Sequence, residues 1–311
     1  MSLRTGYAVL VHPDGASAAL VTGIVSQSVM TNTEERREQT AGHHLPRHIS
    51  LPAQKPVGRF ASLNLDVALD ACGFAGLAIA STSNPGLVFY QALLDALGQP
   101  SAGSVHRTTA LRNGLLLPRR ISCDHQGDAR IEYECLANYD GTNAPLVYAE
   151  SVALAAGFGD TTRFTLGPVE VNGVTIDGKT SLEIDLGNSA RTVGSDSDVW
   201  DTAIEADSIM PRVMIRGLNT ALCAAAGIPL AGKVGAHANS EIYLRKRLQT
   251  GTGFVADITA EHIGFTLAGI MYAEDVFDAN GNQHGECSLA MPLVFDGTNF
   301  PVTVDTTAAL P

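Results

Sequence analysis

The chain has 311 residues, 45% hydrophobic and 17% charged, which excludes a disordered polymer and supplies apolar material for two domains of ordinary size. A formal net charge of −12 excludes a surface that grips a phosphate backbone, because such a surface needs clustered Lys and Arg. No stretch approaches the ~18 to 20 apolar residues of a membrane span.

At the N-terminus the apolar run Tyr7 to Val11 is too short for a secretory signal and ends at Pro13. Gly23 to Val29 alternates apolar and polar residues, as a strand with one wet face does. Thr31 to Pro56 reads as a polar, strand-poor loop. Loops longer than ~12 to 15 residues are uncommon in compact domains unless they are functional or disordered. This one carries both signs of charge in Glu34, Glu35, Arg36, Arg37 and Glu38, suited to contacts between subunits. Asn84 as cap, Pro85 at the first helical position and Gly98 as the stop predict a helix over NPGLVFYQALLDALG. A long hairpin follows, Gly114 to Cys123 against Ala129 to Ala137, around Asp124-His125-Gln126-Gly127-Asp128.

Asp140-Gly141-Thr142-Asn143-Ala144-Pro145 then returns as Asp296-Gly297-Thr298-Asn299-Phe300-Pro301, 156 residues on and close to half the chain. One Asp-Gly-Thr-Asn is only a turn. Its recurrence at half-length with the proline kept points to an internal duplication. A linker near Ala155 to Asp160 divides the chain into 1–157 and 158–311. The second half opens with Thr165 to Val171, Val174 to Ile176 and Ser181 to Leu186 around Asn172-Gly173 and Asp177-Gly178, both hairpin-type turns. Gly187 to Trp200 reads as its polar loop, and Leu218 to Ala226 as its helix, stopped by Gly227. A second hairpin pairs Gly264 to Tyr272 with Gly285 to Met291. Gly98 to Asp140 spans 42 residues and Gly227 to Asp296 spans 69, which predicts an insertion of 27, mostly within Lys233 to Asp257.

Motifs for chemistry are thin. Asp278 to Glu286 offers oxygens at alternate positions, but Gly281 sits fourth instead of sixth and strands flank it, so a hairpin turn fits better than a calcium loop. His43, His44 and His48 have no Cys, Asp or Glu among them to complete a metal site. Gly251 to Ala256 follows basic Arg245-Lys246-Arg247 instead of an apolar strand, which argues against a dinucleotide loop. Those three cations and the pair Asp196 and Asp198 read as solvated. Gly-x-Ser-x-Gly and Gly-x4-Gly-Lys do not occur. Five scattered cysteines (Cys72, Cys123, Cys135, Cys223, Cys287), odd in number and without Cys-x-x-Cys spacing, read as reduced, buried thiols of a protein made in a cytosol. The reading is a non-enzyme with no catalytic, cofactor or metal residues.

The segment LGPVEVNGVTIDGKTSLEIDLGNSARTVGSDSDVWDTAIEADSIMPRVMIRG resembles the opening of tail tube proteins of long-tailed bacteriophages: a hairpin with Asn-Gly and Gly turns, a strand ending at Asp185 and Gly187, an Asp-rich loop, then a strand into Pro211 and Val213. Val21 to Ile79 is a more divergent version with a longer loop. The resemblance implies a mainly β fold with minor α: two tandem tube-like β-sandwich domains, each with one flanking helix and a long hairpin joining a ring-shaped barrel. It also implies a virion structural protein, assembled in the host cytoplasm and stacking trimeric, pseudo-sixfold rings around a channel for DNA ejection. Its partners are then further copies of itself, a tape measure protein and tail completion or baseplate proteins, with non-specific passage of viral DNA and no membrane. On this reading Arg130, Glu132 and Glu134, which share one face of the first hairpin, line the channel. Two carboxylates against one arginine make that layer net acidic, which keeps DNA moving. A baseplate or distal-tail ring protein with the same domain, and a cytosolic β-rich binding protein, are the alternatives.

Overall fold

The computed structural model describes residues 4–33, 35–38, 41, 45, 48–50, 54–80, 86–156, 161–195, 198–217, 224–228, 236–250, 253–278, 286–295, 297 and 300–311. The fold is mainly β. The first half contains β1 (Arg4–Val11), β2 (Ala19–Val21), β3 (Ile24–Met30), β4 (Arg36–Glu38), β5 (His48–Ser50), β6 (Val57–Ser62), α1 (Leu65–Cys72), β7 (Leu77–Ile79), β8 (Leu87–Leu93), β9 (His106–Leu111), β10 (Gly114–Asp124), β11 (Arg130–Ala137) and β12 (Leu146–Val152). The second contains β13 (Phe164–Val171), β14 (Val174–Thr175), β15 (Lys179–Asp185), β16 (Asn188–Val193), β17 (Ala203–Ile209), β18 (Arg212–Gly217), β19 (Ala236–Lys246), β20 (His262–Asp278), β21 (Glu286–Pro292) and β22 (Val302–Ala308).

Where turn chemistry and alternation agree, the expected hairpins form. β10 and β11 pair from Gly114↔Ala137 to Ser122↔Arg130. β13 turns into β14 through Asn172 and Gly173, at φ 50 and 75, the paired positive values that a two-residue hairpin turn needs. The second hairpin departs from its expected register: Gly264 to Met271 pair with β19, and β20 meets β21 only from Tyr272↔Ala290 outward, while their connection lies outside the described residues. Asp177-Gly178, expected as a second hairpin turn, closes no hairpin: β15 leaves β14 and pairs with β10 and β18.

The helix expected over Asn84 to Gly98 is instead strand β8, between β1 and β9. Leu87, Val88, Phe89, Tyr90 and Ala92 are all buried, so apolar residues occupy both faces. A strand buried on both faces reads as a continuous apolar run, which periodicity cannot tell from a helix. The helix of this half is α1, whose Leu65, Ala68, Leu69 and Cys72 are buried at i, i+3, i+4 and i+7 spacing. Residues 218–223 lie outside the described set, whereas Ala224 and Ala225 are helical and Gly227 donates to Ala224 O. The loop expected over Thr31 to Pro56 carries a two-stranded ribbon, β4 with β5, and that over Gly187 to Trp200 holds β16, which pairs with β17 just beyond it.

One sheet runs β14-β13-β19-β20-β21-β18-β15-β10-β11-β6-β3, and a five-stranded sheet runs β12-β9-β8-β1-β2. The order hairpin, post-ribbon strand, pre-ribbon strand occurs twice in the large sheet, as β20-β21-β18-β15 and then β10-β11-β6-β3. Registers repeat with it. Met30 pairs with Val57 as Asp185 pairs with Arg212, each 155 residues on. Leu117↔Glu134 corresponds to Tyr272↔Ala290, and the bulge between Pro118 and Arg120 to that between Ala273 and Asp275. Val152↔His106 likewise corresponds to Ala308↔His262. Gly227 stands 154 residues after Gly73, within one or two of this register, and so answers Gly73 and not Gly98, and the expected 27-residue insertion disappears.

The apolar faces of both layers meet in one core. Phe60 of β6 stacks on Tyr133 of β11 at 5.2 Å and lies edge-on to Phe89 of β8 at 6.3 Å. Tyr133 Oη, 3.1 Å from Ala68 O and 3.2 Å from Gly73 O, ties α1 to the sheet. The core continues between the halves: Phe74 packs on Phe265 at 6.2 Å, and Thr306 Oγ1 donates to Asp70 Oδ1 at 3.0 Å.

Candidate functional site

Alternation on β11 sends Ile131, Tyr133 and Cys135 into the core and Arg130, Glu132 and Glu134 to the opposite face. That face continues across neighbouring strands. Arg59 of β6 stands opposite Glu134 and donates to its Oε1 at 2.6 Å. The β10 bulge brings Arg119 to the same carboxylate, with Nε 3.3 Å from Oε2. Arg120 bridges Glu132 at 3.1 Å and Glu183 of β15 at 3.3 Å, and Arg130 Nε lies 3.5 Å from Glu132. The Glu132 hydrogen bond raises the Arg120 guanidinium above its ordinary pKa. Glu134 is only 8% exposed. An open groove of about 410 Å³ runs over this cluster, its lining including Ser26, Ser28, Arg59, Arg119, Glu132 and Glu134.

The expected net acidic layer is therefore corrected. Four arginines (Arg59, Arg119, Arg120, Arg130) meet three glutamates (Glu132, Glu134, Glu183). The expectation counted only the second strand of the hairpin, with two carboxylates and one arginine; Arg119 and Arg120 come from the bulged first strand, and Arg59 and Glu183 from β6 and β15. Farther along the same face the described residues hold one more pair, Arg212 with Glu274 at 2.7 Å.

Among the residues assigned to the long loop, Glu34 and the side chains of Arg36 and Glu38 lie outside the described set. Glu35 and Arg37 pair with each other at 2.6 Å on the surface. The second ribbon, missed in the sequence, carries Arg191 between Glu205 at 2.9 Å and Asp207 at 3.6 Å. The signal for it was the offset itself, since residue 191 stands 155 after 36. A parallel bridge joins Gln54, just past the first ribbon, to Trp200, in the connection between β16 and β17 at the far end of the second. Leu45, Val199, Ile209 and Met210 are exposed around them.

Other candidates resolve into structure. Arg245 pairs with Asp257 at 3.1 Å, Lys246 with Glu261 at 2.9 Å and Arg247 with Asp128 at 3.0 Å, while Phe254 packs against both arginines. Asp278 and Glu286 are paired strand residues. Asp198 N donates to Ser195 O in a turn, while His43, His44 and Asp196 lie outside the described residues. Asp140 accepts from the Asn143 side chain and from the backbone of Thr142 and Asn143, which lowers its pKa and closes the first copy of the repeated turn. In its second copy only Gly297 and the residues from Phe300 on are described. Burial pushes the thiols of Cys72 and Cys135 up and that of Cys123 to about 11, so none is a nucleophile at neutral pH.

Two buried histidines were not singled out in the sequence. His106 Nδ1 accepts the Leu93 N–H at 3.0 Å, and His262 Nδ1 accepts the Lys246 N–H at 3.0 Å. Each stands at the start of an equivalent strand segment and closes the loop before it. They are structural acceptors, and no group of three His, Cys, Asp or Glu able to hold a metal occurs among the described residues. No protein-family model and no curated protein matches the chain.

Proposed function

We propose that the chain is a tail tube protein: a virion component with two tandem copies of one β-sandwich domain, which closes trimeric, pseudo-sixfold rings and stacks them around a channel for DNA. The observation that carries this reading is the junction between the two quartets. β15, the pre-ribbon strand of the second, pairs with β10, the hairpin strand of the first, from Arg120↔Asp185 to Asp124↔Ser181. The same two kinds of edge are left at the ends. Among the described residues β3 pairs only with β6, and β20 beyond Met271 pairs only with β21.

Open strand edges invite pairing, and a head-to-tail interface that closes makes a ring without edges. β3 of one chain therefore pairs with the distal part of β20 in the next, with Met30 opposite Asp275 by the 155-residue correspondence to Asp185 and Arg120. Three chains close six quartets. The core-facing side then lies outside and the Arg–Glu face lines the channel. The ribbons project from the strand ends and stack one ring on the next, and the tape measure and tail completion proteins meet the ends of the tube.

The register is checked by Met30→Cys combined with Asp275→Cys. A disulfide needs Cα atoms about 4.4 to 6.8 Å apart, so only the stated pairing permits it. Mild oxidation should give covalent dimers and trimers on a non-reducing gel. Persistence of monomer alone, under conditions where rings are seen, would exclude the β3–β20 contact.

A further inference from the structure

We propose that Glu132 and Glu134 hold shut a latent binding face for a nucleic-acid phosphate backbone. Four guanidiniums converge on neighbouring strands of one sheet face, which is the cation density that grips phosphates. In the folded chain they are spent internally. Glu134 has one oxygen on Arg59 and the other near Arg119, and Glu132 is shared by Arg120 and Arg130. Arg59 and Arg119 nonetheless keep side-chain exposures of 57% and 42%, so access does not limit them; Arg119 also donates to Asn188 O.

The arrangement belongs to one half. At the corresponding positions of the other quartet stand Met214 for Arg59, Glu274 for Arg119, Ser288 for Glu132 and Ala290 for Glu134. None of the four arginines and neither Glu132 nor Glu134 recurs there: carboxylates stand in place of three of the arginines, at Glu274, Asp275 and Glu286, and Glu274 is paired by Arg212. The joint absence of those arginines and of Glu132 and Glu134 is the pattern expected if the glutamates serve to neutralise the arginines. The biological use of the closed state rests on the proposed channel, where DNA must slide without being held. Binding itself is a property of one dispersed chain, so assembly and binding fail independently.

Fluorescence anisotropy with a labelled DNA duplex, on dispersed protein at 50 and 200 mM salt, tests it. The wild type should not bind. Glu132→Gln with Glu134→Gln should bind, roughly 10- to 100-fold more weakly at the higher salt, as release of about two to four counterions requires. Adding Arg59→Gln and Arg119→Gln to that variant should remove most of the binding. Glu132→Gln alone, at a half-exposed position, frees Arg130 and leaves Arg120 with Glu183 as its one carboxylate partner, and serves if the double variant does not fold. Binding by the wild type equal to that of the variants, or no binding by a folded variant, overturns the proposal.

Discussion

At the residue scale, the two buried histidines give the sharpest expectation about stability. His106 and His262 are 1% and 0% exposed, and each accepts a hydrogen bond from the backbone N–H it meets. His106→Phe keeps the apolar volume but takes this acceptor from the Leu93 N–H, and a buried unsatisfied donor costs about 1 to 3 kcal/mol. Asn at the same position places an oxygen near the lost Nδ1 and should recover part of this. His262→Phe and His262→Asn should behave alike. Urea midpoints measure it, and a Phe variant as stable as the wild type would show that water replaces the ring. Neither histidine was legible beforehand, because its partner N–H lies 13 residues away in one case and 16 in the other, and nothing local marks it. The same holds for Glu134: its place on the wet face followed from alternation, while Arg59 reaches it from 75 residues away.

At the element scale, turns fixed what they touch. The β10–β11 hairpin and the β13–β14 turn were readable because the connecting residues set register locally. β8 was not, since an apolar run buried on both sides carries no period. β20 shows a further limit. It is one strand of 17 residues, where the first half uses β9 and β10 with Asn113 at φ 46 between them. Gly114 and Gly269 hold equivalent places at this crossing, where a Cβ would collide with Leu136 O and Pro292 O respectively. The ribbons carry a functional expectation. An isolated two-stranded ribbon is marginal in water; β16–β17 is tied to its own chain through Tyr139 N to Asp201 O and Asn188 Nδ2 to Pro118 O, whereas β4–β5 pairs with no further strand among the described residues. Replacing residues 32–53 by a short Gly-Ser link should leave the thermal unfolding of the chain nearly unchanged and abolish long tubes. Normal tubes from the shortened chain would assign ring stacking elsewhere.

At the scale of the whole molecule, the half-length recurrence of Asp-Gly-Thr-Asn was the visible part of a correspondence that extends to paired residues and bulges. Its alignment in the sequence went wrong at Gly98, because helix and strand were confused just before it, and the apparent insertion was the consequence. The net charge of −12 also acquires a location. It does not reside in the Arg–Glu cluster of the large sheet, whose charges nearly cancel, so the acidity lies over the remaining surface. What the two quartets share most directly is a way of joining, β15 to β10, that leaves a matching pair of edges free. Electron microscopy of the concentrated, purified chain tests the consequence. Hollow rings or tubes with threefold symmetry and a near-sixfold repeat in end view are expected. A monodisperse, unassembled chain across concentrations, or rings in which β3 and β20 lie apart, would contradict it.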